Sequence, residues 1–155
     1  LESMNIEVNE QGEMTLPVAA VIAVVLLFLA ADHLVKVRKK PQSVAAYLWN
    51  AAYFLQIRQY DKVLERLREM EADFALTPEE MCDACFKKAD AYTGLSQPEQ
   101  ACEAYEQAYR CIRESDRPIK RNDALLEEIR ACYQKCGRET AFSKWEQLFV
   151  SLSAD

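Results

Sequence analysis

Histidine and glycine are scarce in this sequence, which has one histidine and three glycines among 155 residues. The single histidine, His33, adjoins a long apolar run, so no Ser/His/Asp or Cys/His catalytic group can be assembled in the rest of the chain. A phosphate-binding loop needs more glycine than the chain offers. These absences predict that the protein is not an enzyme and has no metal, no other cofactor and no small-molecule substrate.

Basic residues are outnumbered by acidic ones, and their distribution is uneven. The net charge is −6, and a concentrated basic stretch runs from Lys36 to Lys40. The residues beyond this stretch are acidic on balance, whereas nucleic-acid binding depends on basic residues that neutralise phosphates. The chain is therefore not expected to bind nucleic acid.

One apolar run, from Met14 to Ala31, has 18 residues without a charge. At about 1.5 Å per residue it spans about 27 Å, close to the hydrocarbon thickness of a bilayer. We expect a transmembrane helix over residues 14–35, after a polar tail of residues 1–13 and before a basic linker of residues 36–42. A cleaved signal peptide is the first alternative, which the acidic segment before the run disfavours. A buried globular helix is the second, which apolar residues on every face disfavour.

Basic residues that flank a membrane span stay on the cytoplasmic side. Those that follow the apolar run are Lys36, Arg38, Lys39 and Lys40. They are predicted to lie at the membrane interface, where they could also contact anionic headgroups of the lipid bilayer. The chain would then be a single-pass membrane protein with its N-terminus outside and residues 43–155 in the cytoplasm.

The stretch of residues 77–115 has the pattern of two helices folded back on each other. Thr77 and Glu80 form a Thr-x-x-Glu capping box at the start of the first helix. Gly94 could supply a left-handed end to this helix. Ser96 and Glu99 form a second capping box for the following helix. Two amphipathic helices joined by a short turn predict an antiparallel hairpin, which needs stacked neighbours to bury its apolar face.

Small and aromatic residues recur at matching positions in three successive units. They are Ala51, Phe54, Val63, Leu67 and Met70 in the first, Ala89, Tyr92, Ala101, Tyr105 and Ala108 in the second, and Tyr133, Gly137, Ala141, Trp145 and Leu148 in the third. This pattern, over roughly residues 43–155, resembles that of the tetratricopeptide (TPR) family. The spacings between units, 38 from Val63 to Ala101 and 40 from Ala101 to Ala141, exceed the family's 34 residues.

The resemblance implies an all-α fold in which three antiparallel helix hairpins form a short α-solenoid after the transmembrane helix. An irregular helical bundle is the alternative. The family's first tryptophan-leucine-glycine signature is replaced in the first unit by Tyr47, Asn50 and Ala51. This departure weakens the match most at that unit.

The resemblance also implies a groove, lined by the first helix of each hairpin, that binds a peptide or helix of another protein. The positions that would face it are Leu48, Ala52, Leu55, Asp83, Phe86, Asp90, Thr93, Glu127, Ala131 and Gln134. Family members that clamp a C-terminal carboxylate use basic and asparagine residues there, and this chain has Leu48 and Ala52 instead. An amphipathic or basic segment is therefore the expected ligand.

The six cysteines include two close pairs, Cys82 with Cys85 and Cys132 with Cys136, which resemble two halves of a zinc site. In the proposed stack these pairs lie about 15 Å apart along parallel helices, too far for one metal. We expect free thiols that serve as small packing residues. The alternative in an oxidising compartment is disulfides from Cys111 to the first pair and from Cys102 to the second.

The sequence predicts a membrane-tethered adaptor that binds another protein in this groove. The alternative is a structural subunit of a membrane assembly, whose repeats pack permanently on neighbouring subunits. A strongly apolar first repeat helix, with Trp49 and Leu55, and an aromatic last helix, with Phe142 and Trp145, favour the alternative.

Overall fold

The computed structural model describes residues 7–8, 14–15, 17–38, 40–116 and 119–152, and these form an all-helical chain with one pair of two-residue strands. The strands are β1 (Glu7–Val8) and β2 (Met14–Thr15). The helices are α1 (Val18–Arg38), α2 (Val44–Gln56), α3 (Tyr60–Asp73), α4 (Pro78–Gly94), α5 (Pro98–Glu114), α6 (Asp123–Lys135) and α7 (Glu139–Leu152). The chain divides into two compact units, residues 1–40 and residues 41–155.

The first unit contains the strand pair and α1. The strands are antiparallel, with Glu7 opposite Thr15 and Val8 opposite Met14. Most of the predicted polar tail of residues 1–13 lies outside the described residues. Among the residues that the structure describes, no helix combines the length and apolar character required to cross a membrane.

The bounds predicted for the first helix, residues 14–35, are wrong at both ends. Met14 and Thr15 belong to a strand, and α1 begins only after Pro17. A proline disfavours helical backbone in the residue that precedes it, so the apolar run becomes helical only beyond this position. At the other end α1 continues to Arg38, and the first part of the predicted basic linker is therefore helical.

The second unit consists of three consecutive hairpins: α2 with α3, α4 with α5, and α6 with α7. Each short connection returns the chain alongside the preceding helix, as predicted. The first hairpin packs on α4, and α5 packs on α6. The six helices form a solenoid-like stack in which each hairpin covers the apolar face of its neighbour.

Side-chain caps fix the start of three helices. The capping box predicted before α4 is confirmed: Thr77 N donates to Glu80 Oε1 at 3.0 Å, and Glu80 N donates to Thr77 Oγ1 at 3.2 Å. Ser43 caps α2 by accepting from Ala46 N, and Asn122 caps α6 by accepting from Leu125 N. These bonds satisfy backbone N–H groups that have no partner within the helix.

The turn between α4 and α5 differs from its prediction. Ser96, with φ of 57°, adopts the left-handed conformation that was expected of Gly94. Ser96 therefore cannot cap α5, which begins at Pro98 after Gln97 without a side-chain cap bond. Gly94 is the last residue of α4, and a Cβ there would lie 2.2 Å from Cζ of Tyr60. The glycine lets the α3 tyrosine approach the end of α4 closely.

The core of the second hairpin is built from small residues, whereas that of the third is built from aromatic ones. Between α4 and α5 the buried residues include Ala89, Ala101 and Ala108. In the third hairpin they include Tyr133, Phe142, Trp145 and Phe149. Trp145 is fully buried and contacts aromatic rings of α4, α5 and α7.

Candidate functional site

A cavity of about 710 Å³ opens between α4 and α6, the first helices of the second and third hairpins. It exists because α6 packs against α5 rather than against α4. It is lined by Asp90, Thr93, Ser96, Gln97, Pro98, Tyr105, Glu128, Ala131, Cys132 and Lys135. The space that these residues enclose is called the α4–α6 cavity below.

Helical periodicity places the two walls of the cavity. Asp90 and Thr93 are three residues apart on α4 and therefore share one face. Glu128, Ala131 and Lys135 have the same relation on α6, at spacings of three and four residues. The α5 helix supplies the remaining wall with Tyr105 and the residues at its start. The cavity is open to solvent and is bounded by carboxylate, amine, hydroxyl and apolar groups.

Two carboxylates, Asp90 on α4 and Glu128 on α6, give the cavity its electrostatic character. Partial burial by the surrounding walls, followed in size by the charge of Glu128, raises the pKa of Asp90 to about 6, although Lys87 acts in the opposite direction. The Asp90 side chain itself remains accessible at the cavity mouth. The cavity therefore holds an acidic group whose charge is incompletely stabilised by the protein.

Tyr105 forms the inner wall and is only 2% exposed. Burial, together with the charges of Asp90 and Glu128, raises the pKa of its phenol strongly, so the hydroxyl stays protonated. Within the described part of the chain this hydroxyl has no hydrogen-bond partner. The hydroxyl is open to the cavity, where a polar ligand could form a hydrogen bond with it.

The structure places three of the ten predicted groove residues, Asp90, Thr93 and Ala131, in the α4–α6 cavity. The other seven are not among its lining residues. Of these, Leu48, Ala52 and Leu55 are half-buried on α2, Asp83 pairs with Lys87, Glu127 pairs with Arg130, Gln134 is exposed on α6, and Phe86 is half-buried.

Phe86 was predicted to face the groove, but it packs against other aromatic side chains. Its ring centroid lies 6.2 Å from that of Tyr105 and 6.2 Å from that of Trp145. Phe86 therefore belongs to the aromatic cluster that joins the second and third hairpins. Instead of facing the groove, Phe86 packs against Trp145 of α7.

Tyr105, Glu128 and Lys135 line the cavity but were not among the predicted site residues. Tyr105 was predicted only as a pattern position of the second unit, and it is both buried and part of the cavity wall. Glu128 and Lys135 continue the face of α6 marked by Ala131, so helical spacing alone could have added them. The α5 contribution could not be found in this way, since the groove was attributed to first helices only.

A polar network centred on the Tyr133 hydroxyl joins α5, α6 and α7. The indole N–H of Trp145 donates to the Tyr133 hydroxyl at 3.0 Å, and Tyr133 donates to Glu106 Oε1 at 2.5 Å. Lys144 pairs with the second carboxylate oxygen. Burial acts to raise the pKa of Glu106, but the bonds from Lys144 and Tyr133 outweigh it and lower the pKa.

The cysteines fall into two groups, as the hairpin geometry predicted. Cys111 lies beside Cys85 and Cys82, and Cys102 lies beside Cys136 and Cys132. All six are free thiols in the structure.

Burial is the main influence on the cysteine thiols. It raises the pKa of Cys82, Cys85 and Cys132 to about 12 and that of Cys102 to about 11. These groups are therefore thiols rather than nucleophilic thiolates at neutral pH. Across the described residues, no group of three or more His, Cys, Asp or Glu side chains is placed to hold a metal ion.

The predicted membrane-interface residues are distributed over the end of the first unit. Lys36 and Arg38 belong to α1, Lys40 is exposed, and Lys39 lies outside the described residues. The fold and the α4–α6 cavity together define an all-helical, solenoid-like chain of helix hairpins with an acidic cavity. Comparisons with protein-family models, with curated proteins and with solved structures found no match for the chain.

Proposed function

We propose that this chain is a membrane-tethered adaptor of the TPR-like type, which binds a peptide or helix of a partner protein in the groove between its first helices. The observation that carries the proposal is the α4–α6 cavity. Its volume falls within the range of about 300–1,000 Å³ usual for ligand sites. It is also open along the first helices of two hairpins, where an extended or helical segment can enter from solvent.

The lining of the cavity supports binding rather than catalysis. Its thiol, that of Cys132, has a pKa raised by burial to about 12, and its tyrosine is held protonated. The exposed wall positions, such as Ala131 and Thr93, are not needed to close either hairpin. A partner could thus contact them without disturbing the core, and the effect of binding would be to concentrate that partner at the membrane.

The membrane tether is supported by the surface of α1. Val18, Leu27 and Phe28 are each at least 70% exposed, and apolar residues surround the helix. Such a surface is unfavourable in water, and lipid would cover it. The basic residues in the last turn of α1 and directly after it favour a cytoplasmic location for residues 41–155. Protease added outside intact cells should leave this unit whole, and its digestion there would reverse the proposed orientation.

Photo-crosslinking in cells tests the adaptor proposal. The photoreactive residue p-benzoylphenylalanine is placed at Ala131, on the cavity wall, and separately at Glu146, an exposed position on α7. A discrete crosslinked protein is expected at Ala131 only. A purified peptide from that protein should then compete with the crosslink. Crosslinks of equal yield at both positions would contradict a groove-specific partner.

A structural subunit is the second candidate, and α2 supplies the observation that favours it. Trp49 is 55% exposed and stacks on Tyr53, with ring centroids 6.1 Å apart. An exposed aromatic pair is common where one protein packs on another. Exchange of isotope-labelled chain into preformed membrane complexes separates the candidates: an adaptor exchanges within minutes, whereas a permanent subunit does not.

A further inference from the structure

We infer that the α4–α6 cavity binds an arginine side chain of the partner, with its guanidinium held between the carboxylates of Asp90 and Glu128. This inference rests on the proposed function and names the chemistry that the groove selects. It depends on three observations: the two carboxylates, the Tyr105 hydroxyl that faces the cavity without a protein partner, and the charge balance of the cavity walls.

The two carboxylates approach the cavity from different helices. Asp90 lies on α4 and Glu128 on α6, and the charge of Glu128 adds to the effect of burial in raising the pKa of Asp90. Neither has an ion pair within the described part of the chain. A cation between them would relieve their repulsion and supply the missing partner.

The Tyr105 hydroxyl is an independent sign of a polar ligand. Tyr105 is 2% exposed and lines the cavity, and among the described residues no group donates to its hydroxyl or accepts from it. A guanidinium carries five N–H donors in one plane. It can therefore donate to two carboxylates and still offer a hydrogen bond to the phenol oxygen, which an ammonium group does less readily.

The charge balance of the walls leaves room for one cation. The cavity lining carries Asp90 and Glu128 against Lys135, and Lys87 just outside it is paired with Asp83. One arginine would neutralise the excess negative charge. The apolar surfaces of Ala131 and Pro98 suit the methylene stem of the side chain, which makes arginine a better fit than a bare inorganic cation.

The charged and titratable groups around Asp90 also predict how pH affects arginine binding. Lys87 and Asp90 lie on α4, Tyr105 on α5, and Glu128 and Lys135 on α6. The pKa of Asp90 is about 6 in the empty cavity, so this carboxylate gains a proton as the pH falls through that value. Arginine binding should accordingly weaken several-fold between pH 7.5 and pH 5 and should change little above pH 7.

The test uses the full chain in detergent micelles and two short peptides of serine, glutamine, alanine and leucine. One peptide has a central arginine, and its twin has citrulline, which keeps the shape but lacks the charge. Calorimetric titration should show the arginine peptide binding about 10-fold more tightly, a ratio typical of hydrogen bonds to charged groups. Equal affinities would overturn the inference.

Variants assign the preference to the named groups. Asp90→Asn and Glu128→Gln should each reduce the ratio of the two affinities to near 1, and Tyr105→Phe should reduce it less. Glu146→Gln, which removes a carboxylate from the exposed face of α7, should leave the ratio unchanged. Circular dichroism melting confirms that each variant is folded. A ratio that survives both carboxylate changes in folded protein would overturn the inference.

Further outcomes separate this inference from the adaptor proposal. Argininamide that binds as tightly as the arginine peptide would indicate a small-cation site and would overturn the assignment to a partner's side chain. In one outcome a partner crosslinks at Ala131 and yet supplies a binding peptide that contains no basic residue. That result would support the adaptor proposal and contradict the inferred arginine ligand. Binding of the arginine peptide without a crosslinked partner would have the opposite meaning: the cation site would stand and the adaptor would fall.

Discussion

The second and third hairpins have the same arrangement but are held together in opposite ways. The helices α4 and α5 meet through small residues such as Ala89, Ala101 and Ala108, all fully buried. The helices α6 and α7 meet through large rings, chiefly Tyr133 and Trp145, which also form hydrogen bonds. Small residues let two helices approach closely, whereas rings fill the wider space left where α6 leans on α5.

This difference determines which substitutions each hairpin can tolerate. A contact of small residues has no spare volume and is sensitive to any larger side chain. A contact of large rings is sensitive to truncation, since the cavity left behind cannot collapse fully. The third hairpin also lies beside the α4–α6 cavity, to which its first helix contributes Glu128, Ala131 and Lys135.

The largest effect is expected from Trp145→Ala, which removes the ring at the centre of the aromatic cluster. The change should lower the free energy of unfolding by about 3–5 kcal/mol, as for other buried tryptophans. Urea denaturation followed by circular dichroism measures it. The matched control is Trp49→Ala, because Trp49 is 55% exposed, and it should cost less than about 1 kcal/mol. Similar losses for the two would mean that Trp145 is not the central packing residue.

Enlargement of the small-residue contact should have an intermediate effect. Ala101→Leu inserts three carbon atoms into the close approach of α4 and α5, and a cost of about 1–3 kcal/mol is typical of such overpacking. The control is Ala124→Leu on the exposed side of α6, where the new side chain meets solvent. If both variants melt at the wild-type temperature, α4 and α5 are not held as closely as described.

The polar network that joins Glu106 of α5 to Tyr133 and Lys144 of the third hairpin predicts a pH dependence of stability. The pKa of Glu106 is lowered from its ordinary 4.5, so its stabilising effect is complete above that value and is lost as the pH falls through the lower folded-state pKa. Glu106→Gln should cost about 1–2 kcal/mol at pH 7. The gap between wild type and variant should close as the pH falls below 4.5. A gap that is independent of pH would show that the carboxylate charge contributes nothing.

The smallest effect is expected from the cysteines, which are free in both groups. In denaturant without reductant, alkylation should label all six, as intact mass would show. In the folded chain Cys136, which is only half-buried, should react first, and Cys85 and Cys102, which are fully buried, should react last. Blocked pairs in freshly isolated protein would instead indicate disulfides across α4 and α5 or across α5 and α6.

Local interactions determined most of what could be predicted without the structure. The caps at Ser43, Thr77 and Asn122 join atoms three residues apart, and the helical periodicity of apolar residues is equally local. The six repeat helices and their hairpin order follow from these short-range rules. The grouping of the cysteines followed too, because antiparallel packing fixes which turns lie side by side.

Only the tertiary structure decided the site. The predicted groove ran along all three hairpins, but the α4–α6 cavity forms where α6 packs on α5. The path of the connection between α5 and α6 determines this packing, and local sequence rules do not predict that path. That placement brings Glu128 opposite Asp90, exposes the Tyr105 hydroxyl to the cavity and carries Trp145 to Phe86. Local hydrogen bonds define each helix, whereas the space between helices depends on the volumes that meet there, and a single sequence does not show which side chains those are.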